Sequence, residues 1–259
     1  MNLLFAWFVG AAIVWVAVTL LWLVSVLLTD ASIVDSFWGL GFALATTGYA
    51  LVGGGDPARI ALVLALVWVW GGRLGLYIFT RNYGRGEDPR YQAFRAHYGR
   101  ERYWWFSYFQ VFLLQGALIV LISAPLVLAM TQTAPLGLWD ILGAALWGIG
   151  FGFEAVGDAQ LARFKADPAN RGRVLDHGLW RYTRHPNYFG NACLWWGFFV
   201  IACAVPWGVA TFPAPLAMTW LLLRVSGVAL TERNMSTRPG YAEYVARTSA
   251  FVPWPPRRP

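Results

Sequence analysis

Seven apolar stretches, at about 3–28, 37–53, 58–80, 107–130, 137–162, 188–204 and 208–230, come close to the roughly 20 residues that a helix needs to cross a bilayer core. The second and sixth are near the short limit. Inside hydrocarbon every backbone N–H and C=O must be satisfied within the protein, so such stretches fold as helices or closed barrels. Runs this long and this continuously apolar, without two-residue alternation, select the helix. A chain that is 58% hydrophobic and 13% charged, with a mean hydropathy of +0.49, leaves no soluble alternative. The expected fold class is therefore all-α: a polytopic membrane bundle of seven transmembrane helices forming a single integral-membrane domain over 1–259.

The basic residues fall on alternate loops. Arg81, Arg85, Arg90, Arg95, Arg100 and Arg102 lie between the third and fourth stretches. Lys165, Arg171, Arg173, Arg181 and Arg184 lie between the fifth and sixth, and Arg233, Arg238, Arg247, Arg257 and Arg258 follow the seventh. The opposite loops hold only Arg59. The positive-inside rule then predicts the N-terminus outside and the C-terminus in the cytoplasm. The first stretch is too long for a signal-peptide core and lacks a basic start, so it reads as a retained span. The net charge of +7 sits in these loops and reports topology, which argues against a nucleic-acid partner. Sixteen Trp and 17 Phe suit a chain with two interfaces to anchor. Cys193 and Cys203 both fall in an apolar stretch and predict neither a disulfide framework nor a metal site.

Polar residues crowd between Gly178 and Gly190, where Arg181, Tyr182, Arg184, His185, Asn187 and Tyr188 precede the sixth stretch. Guanidinium forks and free N–H groups at a helix start suit phosphate and carboxylate, although a basic loop that only fixes topology has the same composition. Glu154 and Asp158 are four residues apart on one face of the fifth stretch, where ionisable groups are costly and mark a site by default. Arg73 lies within the third stretch, either paired or snorkelling to the interface, with Tyr77 one turn on. Asp35 and Trp38 share a face at the start of the second stretch, and Asp35 equally suits a first-turn carboxylate favoured by the helix dipole. The segment from Pro89 to Phe106 mixes arginines with aromatics and predicts a short amphipathic helix on the membrane surface. Pro253 to Pro259 predicts a frayed end. The sequence contains no Gly-x-Gly-x-x-Gly after a strand, no Walker loop, no His/Cys metal spacing and no serine elbow.

The run Leu-Trp-Arg-Tyr-Thr-Arg-His-Pro-Asn-Tyr-Phe-Gly, Leu179 to Gly190, resembles the signature of membrane proteins related to the C-terminal domain of steroid 5-alpha-reductases. The likeness extends from Asp35 to Pro253 and is strongest from Glu154 onward. It implies NADPH as cofactor and reduction of the C4–C5 double bond of a 3-oxo-4-ene steroid, or a similar enone lipid, by hydride transfer. The substrate side would lie mainly in 1–80 and the cofactor half mainly in 81–259. Asp35 takes the place of a family glutamate that binds the substrate ketone together with a tyrosine in the next span, a position filled here by Trp70. Protonated, Asp35 would donate a hydrogen bond to the ketone oxygen. Trp38 would wall the flat substrate, and Tyr77 is grouped with these catalytic candidates. The resemblance assigns NADPH to Arg73, Arg81, Asn82, Arg85, Glu154, Asp158, Lys165, Arg173, Tyr182, His185, Asn187, Tyr188, Asn191, Glu232 and Arg233. Glu154 stands where relatives often carry asparagine, and Asn191 where a glutamate is common. His185 is expected to bind and not to transfer protons.

The expected setting is a monomer in a lipid bilayer, in a bacterial inner membrane, with no metal. A shorter Arg-His-Pro core is shared with isoprenylcysteine carboxyl methyltransferases, which keeps an S-adenosylmethionine-dependent membrane methyltransferase as the alternative. A non-catalytic lipid-binding protein would leave the intramembrane Arg73, Glu154 and Asp158 without a purpose.

Overall fold

The structure is a computed structural model that describes residues 3–225 and 227–257. Arg258, counted among the basic residues of the tail, lies outside them. Among the described residues the regular structure is helical, with one isolated bridge between Thr183 and Ser249. The helices are α1 (Leu3–Leu28), α2 (Ile33–Gly53), α3 (Pro57–Asn82), α4 (Pro89–Tyr98), α5 (Arg100–Ser107), α6 (Leu114–Ile122), α7 (Ala124–Met130), α8 (Leu138–Ala166), α9 (Pro186–Ala202), α10 (Pro213–Trp220), α11 (Val228–Met235) and α12 (Tyr241–Arg247).

Five segments are long and apolar enough to cross a membrane: Leu3–Leu28, Pro57–Asn82, Arg100–Ile122, Leu138–Ala166 and Gly208–Met235. Their apolar side chains stay largely uncovered, as in Phe8 at 64% and Leu27 at 84% exposure, which a lipid-facing surface tolerates and an aqueous one does not. This is the character of a multi-pass integral membrane protein. The second and sixth expected spans are each a single helix, α2 of 21 residues and α9 of 17. At 1.5 Å per residue α9 reaches only about 25 Å.

The chain forms two compact units. One comprises Met1–Gly137 with Ala202–Gly208, the other Leu138–Ile201 with Val209–Pro259. The division falls between Gly137 and Leu138.

In the first unit, local signals set the helix boundaries. Asp56 caps α3 by accepting from the Arg59 amide with Pro57 in the first turn, and Asp88 with Pro89 does the same for α4. Gly54 ends α2 in the left-handed region at φ 67. The expected single surface helix from 89 to 106 is instead two helices broken at Gly99, φ 78, and α5 runs on through a π turn at Tyr108–Leu113 into α6. The expected fourth span accordingly starts earlier, at Arg100, and is interrupted at Ser123 before Pro125. α2 and α3 touch backbone to backbone, since a Cβ on Gly39 would lie 2.7 Å from the Gly71 carbonyl oxygen. The Tyr49 hydroxyl, on α2, hydrogen-bonds Ser123 Oγ at 2.7 Å inside the unit.

In the second unit α8 and α9 pack antiparallel on glycine. A Cβ on Gly190 would collide with both the Glu154 amide nitrogen and the Gly150 carbonyl oxygen. Gly143 and Gly197 approach in the same way two turns farther along. The seventh expected span is not one regular helix: α10 passes through a π turn, Leu221–Val225, before α11. As far as Arg257 the tail is pinned and not frayed, and Arg258 and Pro259 lie outside the described residues. The Trp254 amide donates to the Tyr182 carbonyl at 2.9 Å and the Arg257 amide to the Arg247 carbonyl at 2.9 Å, because the prolines leave this segment extended and able to lie along the loop it meets.

Candidate functional site

The close α8–α9 approach brings two acid–amide pairs together one turn apart. Asn191 Nδ2 donates to Glu154 Oε2 at 3.2 Å, and Asn187 Nδ2 donates to Asp158 Oδ1 at 3.0 Å. Glu154, Asp158 and Asn191 are 2%, 3% and 7% exposed. Because the glycines carry no side chains, short amides reach the acids across the helix interface. Asn191 Oδ1 is buried without a hydrogen-bond partner among the described residues. Such an orphan costs on the order of 1–3 kcal/mol and leaves an acceptor for a donor from elsewhere.

The cassette ahead of α9 is anchored from several sides. Gly178, at φ 62, starts a 3₁₀ turn whose Leu179 amide donates to Gln160 Oε1 at 2.9 Å. Trp180 Nε1 donates to the Gly157 carbonyl at 3.1 Å, and the Tyr244 hydroxyl donates to the Trp180 carbonyl at 2.5 Å. Thr183 Oγ1 donates to the Phe251 carbonyl at 2.8 Å.

Arg184 and His185 turn inward, toward Glu232. Arg184 is 8% exposed, pairs with Glu232 at 2.7 Å, and donates through Nη1 to the Thr248 carbonyl at 2.6 Å. His185 Nε2 lies 3.2 Å from the same Glu232 oxygen, and its ring stacks on Tyr188 at 5.5 Å. Burial holds the His185 pKa below its ordinary value, with the hydrogen bond to Glu232 working against that shift. Tyr188 hydrogen-bonds Thr231 at 3.3 Å. These residues lock the cassette to α11 and the tail. By contrast Arg171, Arg173, Arg181, Tyr182, Lys165 and Arg233 are exposed.

The first unit carries a charged cluster. Asp35 Oδ2 accepts from Arg90 Nη2 at 2.6 Å, and Asp35 Oδ1 accepts from the Tyr91 hydroxyl at 2.7 Å. Asp88, which caps α4, also binds Arg90 Nε at 2.9 Å. Burial would raise the Asp88 carboxyl, but the hydrogen bonds and charge of Arg90 outweigh it and leave it below the ordinary value. Burial and the neighbouring Asp35 push the Tyr91 hydroxyl well above its usual range. Glu87 accepts from the Ala31 amide at 2.9 Å and pairs with Arg95 at 2.8 Å, tying the start of α2 to α4.

Trp38 meets Phe42 edge to face at 5.3 Å, and Phe42 contacts the fully buried Trp70 at 5.8 Å. Arg81 lies over the Tyr77 ring at 5.8 Å and donates to Asn82 Oδ1 at 3.1 Å. Arg85 is exposed and Arg73 half-buried. The structure therefore gathers Glu154, Asp158, Asn187 and Asn191 into one cluster, and His185, Tyr188 and Glu232 into another. Arg73, Arg81, Asn82 and Arg85 belong to the first unit.

Arg90 and Tyr91 do not stand out in the sequence as site residues. Their signal is the Asp88–Pro89 helix start, which fixes the first turn of α4. The heptad spacing of Gly143, Gly150 and Gly157 marks the α8 contact face in the same way. Among the described residues no three His, Cys, Asp or Glu side chains come together to hold a metal.

Among proteins of known sequence, the uncharacterized protein C594.04c of Schizosaccharomyces pombe is 27% identical over 217 residues, covering 74% of this chain. The chain spans 63% of that relative's length. No solved structure matches it significantly. The family model described as a protein of unknown function, DUF1295, matches residues 21–248, and the chain belongs to that family.

Proposed function

We propose that this protein is an NADPH-dependent reductase of the carbon–carbon double bond of a 3-oxo-4-ene steroid or similar enone lipid, acting within the membrane. The observation that carries the reading is the hydrogen bond from Tyr91 to Asp35 at 2.7 Å. The steroid 5-alpha-reductase resemblance expects an acid and a tyrosine jointly at the substrate carbonyl, and this chain supplies the pair with the tyrosine on α4 in place of Trp70. Both Asp35 oxygens accept hydrogen bonds, one of them from the single O–H of Tyr91, so a substrate carbonyl oxygen would receive that proton only by displacing Asp35 as the acceptor of Tyr91. Its proton is held tightly, which suits a donor to developing negative charge better than a base. Asp35 acts through Tyr91 by orienting its hydroxyl.

The residues present fit a dinucleotide. Asn191 Oδ1 is a buried acceptor in search of a donor, Asn187 and Asp158 form a polar pair beside it, and the exposed Arg171, Arg173 and Arg181 suit phosphates. When bound, NADPH supplies a hydride. Arg184, His185 and Glu232 engage one another and hold the cassette to α11. In this reading α2 and α9 complete seven spans, the N-terminus lies outside, and the protein works as a monomer in a bacterial inner membrane.

The test is thermal unfolding of the detergent-purified protein with NADPH, NADH and S-adenosylmethionine at matched concentrations. A ligand at about 100 times its dissociation constant adds about 2.7 kcal/mol to the folded state. NADPH alone should raise the midpoint, and Asn187→Ala should weaken its binding about tenfold through loss of a hydrogen bond to a charged partner. A shift with S-adenosylmethionine alone would replace the reductase with a membrane methyltransferase.

A further inference from the structure

Where α1 ends, the first unit contains a cavity of about 320 Å³ whose lining includes Ser25, Thr29, Arg95, Arg100, Trp104 and Ser107. Two guanidiniums therefore border one cavity. Arg95 is held in place: Nε and Nη2 donate to Glu87 at 3.0 and 2.8 Å, and the guanidinium lies over the Tyr103 ring at 4.8 Å. Its Nη1 makes no hydrogen bond to any described residue. Arg100 is exposed and pairs with no described acid. Glu87 pairs with Arg95 and Asp30 also acts on its charge, whereas Arg100 makes no ion pair with a described acid and is the guanidinium left for an anion.

The surroundings have the composition of a membrane–water interface. Trp22 Nε1 donates to the Trp104 carbonyl at 2.8 Å, and the two indoles stack at 6.3 Å. Trp104, Trp105 and Phe109 are 49%, 43% and 55% exposed, as aromatic-belt residues are. Val26, at 36% exposure, is an apolar member of the lining, and Leu27 and Leu28, at 84% and 62%, expose apolar surface at the same end of α1. Ser25 and Ser107 hydroxyls donate to the Trp22 and Trp104 carbonyls and keep lone pairs and not protons toward the cavity, so anion recognition falls to the arginines.

We propose that this cavity binds the monoanionic phosphate group of an anionic membrane lipid, with Arg100 and Nη1 of Arg95 as the recognising donors and Trp104 seating the glycerol region. The site is independent of the reductase reading, because no residue of the candidate catalytic or cofactor set lines it.

The experiment titrates the full-length, detergent-purified protein with dihexanoyl phosphatidylglycerol, dihexanoyl phosphatidylcholine or inorganic phosphate at constant ionic strength, following the unfolding midpoint. Phosphatidylglycerol should give a saturable rise that phosphatidylcholine and inorganic phosphate do not. Arg100→Gln should weaken it about tenfold, as loss of a charge-assisted bond implies, while the exposed neighbour Arg102→Gln should leave it unchanged. Absence of a saturable rise, or a rise that Arg100→Gln leaves unaltered, would overturn the site. Equal weakening by Arg102→Gln would overturn it in favour of a diffuse basic surface. An equal response to inorganic phosphate would overturn the lipid as its carrier.

Discussion

Acids at the start of α2 and just ahead of α4 are matched with arginines, whereas Glu154 and Asp158 of α8 accept from amides. Arg90, which bonds both Asp35 and Asp88, keeps its side chain 39% exposed, so water and headgroups still share its charge. Glu154 and Asp158 lie in a spanning helix at 2% and 3% exposure, where a second full charge would have to be desolvated as well. Asn191 and Asn187 provide donors without that charge. The difference is one of donors: arginines meet the acids of the first cluster, and amides are among the donors to the acids of the second. It also makes the two clusters depend on different things, one on charge and the other on how closely two backbones can approach.

The largest effect is therefore expected from closing that approach. Gly190→Leu would force a side chain into the backbone of α8 at Gly150 and Glu154, separating Asn187 and Asn191 from their acids. The expected loss is about 3 kcal/mol or more, measured as thermal unfolding in detergent. Gly148 and Gly152 lie on the same helix, α8, where an added Cβ would meet nothing within 4 Å, so Gly148→Ala or Gly152→Ala should be neutral or stabilising by up to about 1 kcal/mol. If the two kinds of glycine behave alike, backbone proximity does not hold the ladder.

That experiment also marks how far the sequence can be read. Helix ends written in local chemistry are legible: Asp56 before Pro57, and Gly54 after the second stretch, bracket the elements expected there. The fourth and seventh stretches depart from expectation because hydropathy ignores the charged first turn at Arg100 and does not register π turns at Tyr108–Leu113 and Leu221–Val225. At the site, Glu154, Asp158 and Asn191 are visible as polar residues in apolar runs and Asn187 as a member of the polar cassette, but their pairing needs the antiparallel register that glycine contact sets. Arg90 and Tyr91 meet Asp35 across 55 and 56 residues, a closure that no local pattern encodes. Arg184 and His185 both meet Glu232, a partner 48 residues from Arg184 that composition does not reveal.

A smaller effect probes the charged cluster. Asp35→Ala leaves the Tyr91 hydroxyl, on a residue 6% exposed, without its acceptor, while the half-exposed Arg90 turns to water and Asp88. The expected cost is about 2 kcal/mol, most of it through Tyr91. Tyr91→Phe should cost about 1 kcal/mol alone and little more when added to Asp35→Ala, so a double-mutant cycle reads a coupling of about 1 kcal/mol. Additive losses would separate the two residues. Under the reductase reading, Tyr91→Phe and Asp35→Asn should each cut enone-dependent NADPH oxidation at least tenfold, the loss of a hydrogen bond made in the transition state, while leaving NADPH affinity intact. Unchanged turnover in both variants would remove the pair from catalysis.

The smallest effect separates the clusters along the pH axis. The folded His185 pKa lies below its ordinary 6.5 because burial disfavours the imidazolium more than Glu232 favours it. Between 6.5 and that lower value the unfolded chain binds a proton that the folded chain does not, so stability is complete above 6.5 and declines as pH falls through this window. The Asp88 carboxyl is depressed from 3.8, so its contribution persists above 3.8 and is lost only as pH falls through its lower folded value. Acidification should therefore weaken the cassette before it touches the α4 cap. His185→Phe keeps a ring to stack on Tyr188 but cannot titrate, and it should flatten the dependence of the unfolding midpoint below 6.5 while leaving the steeper fall at lower pH. Parallel curves for the two proteins across that window would mean that the His185–Glu232 contact carries no proton linkage.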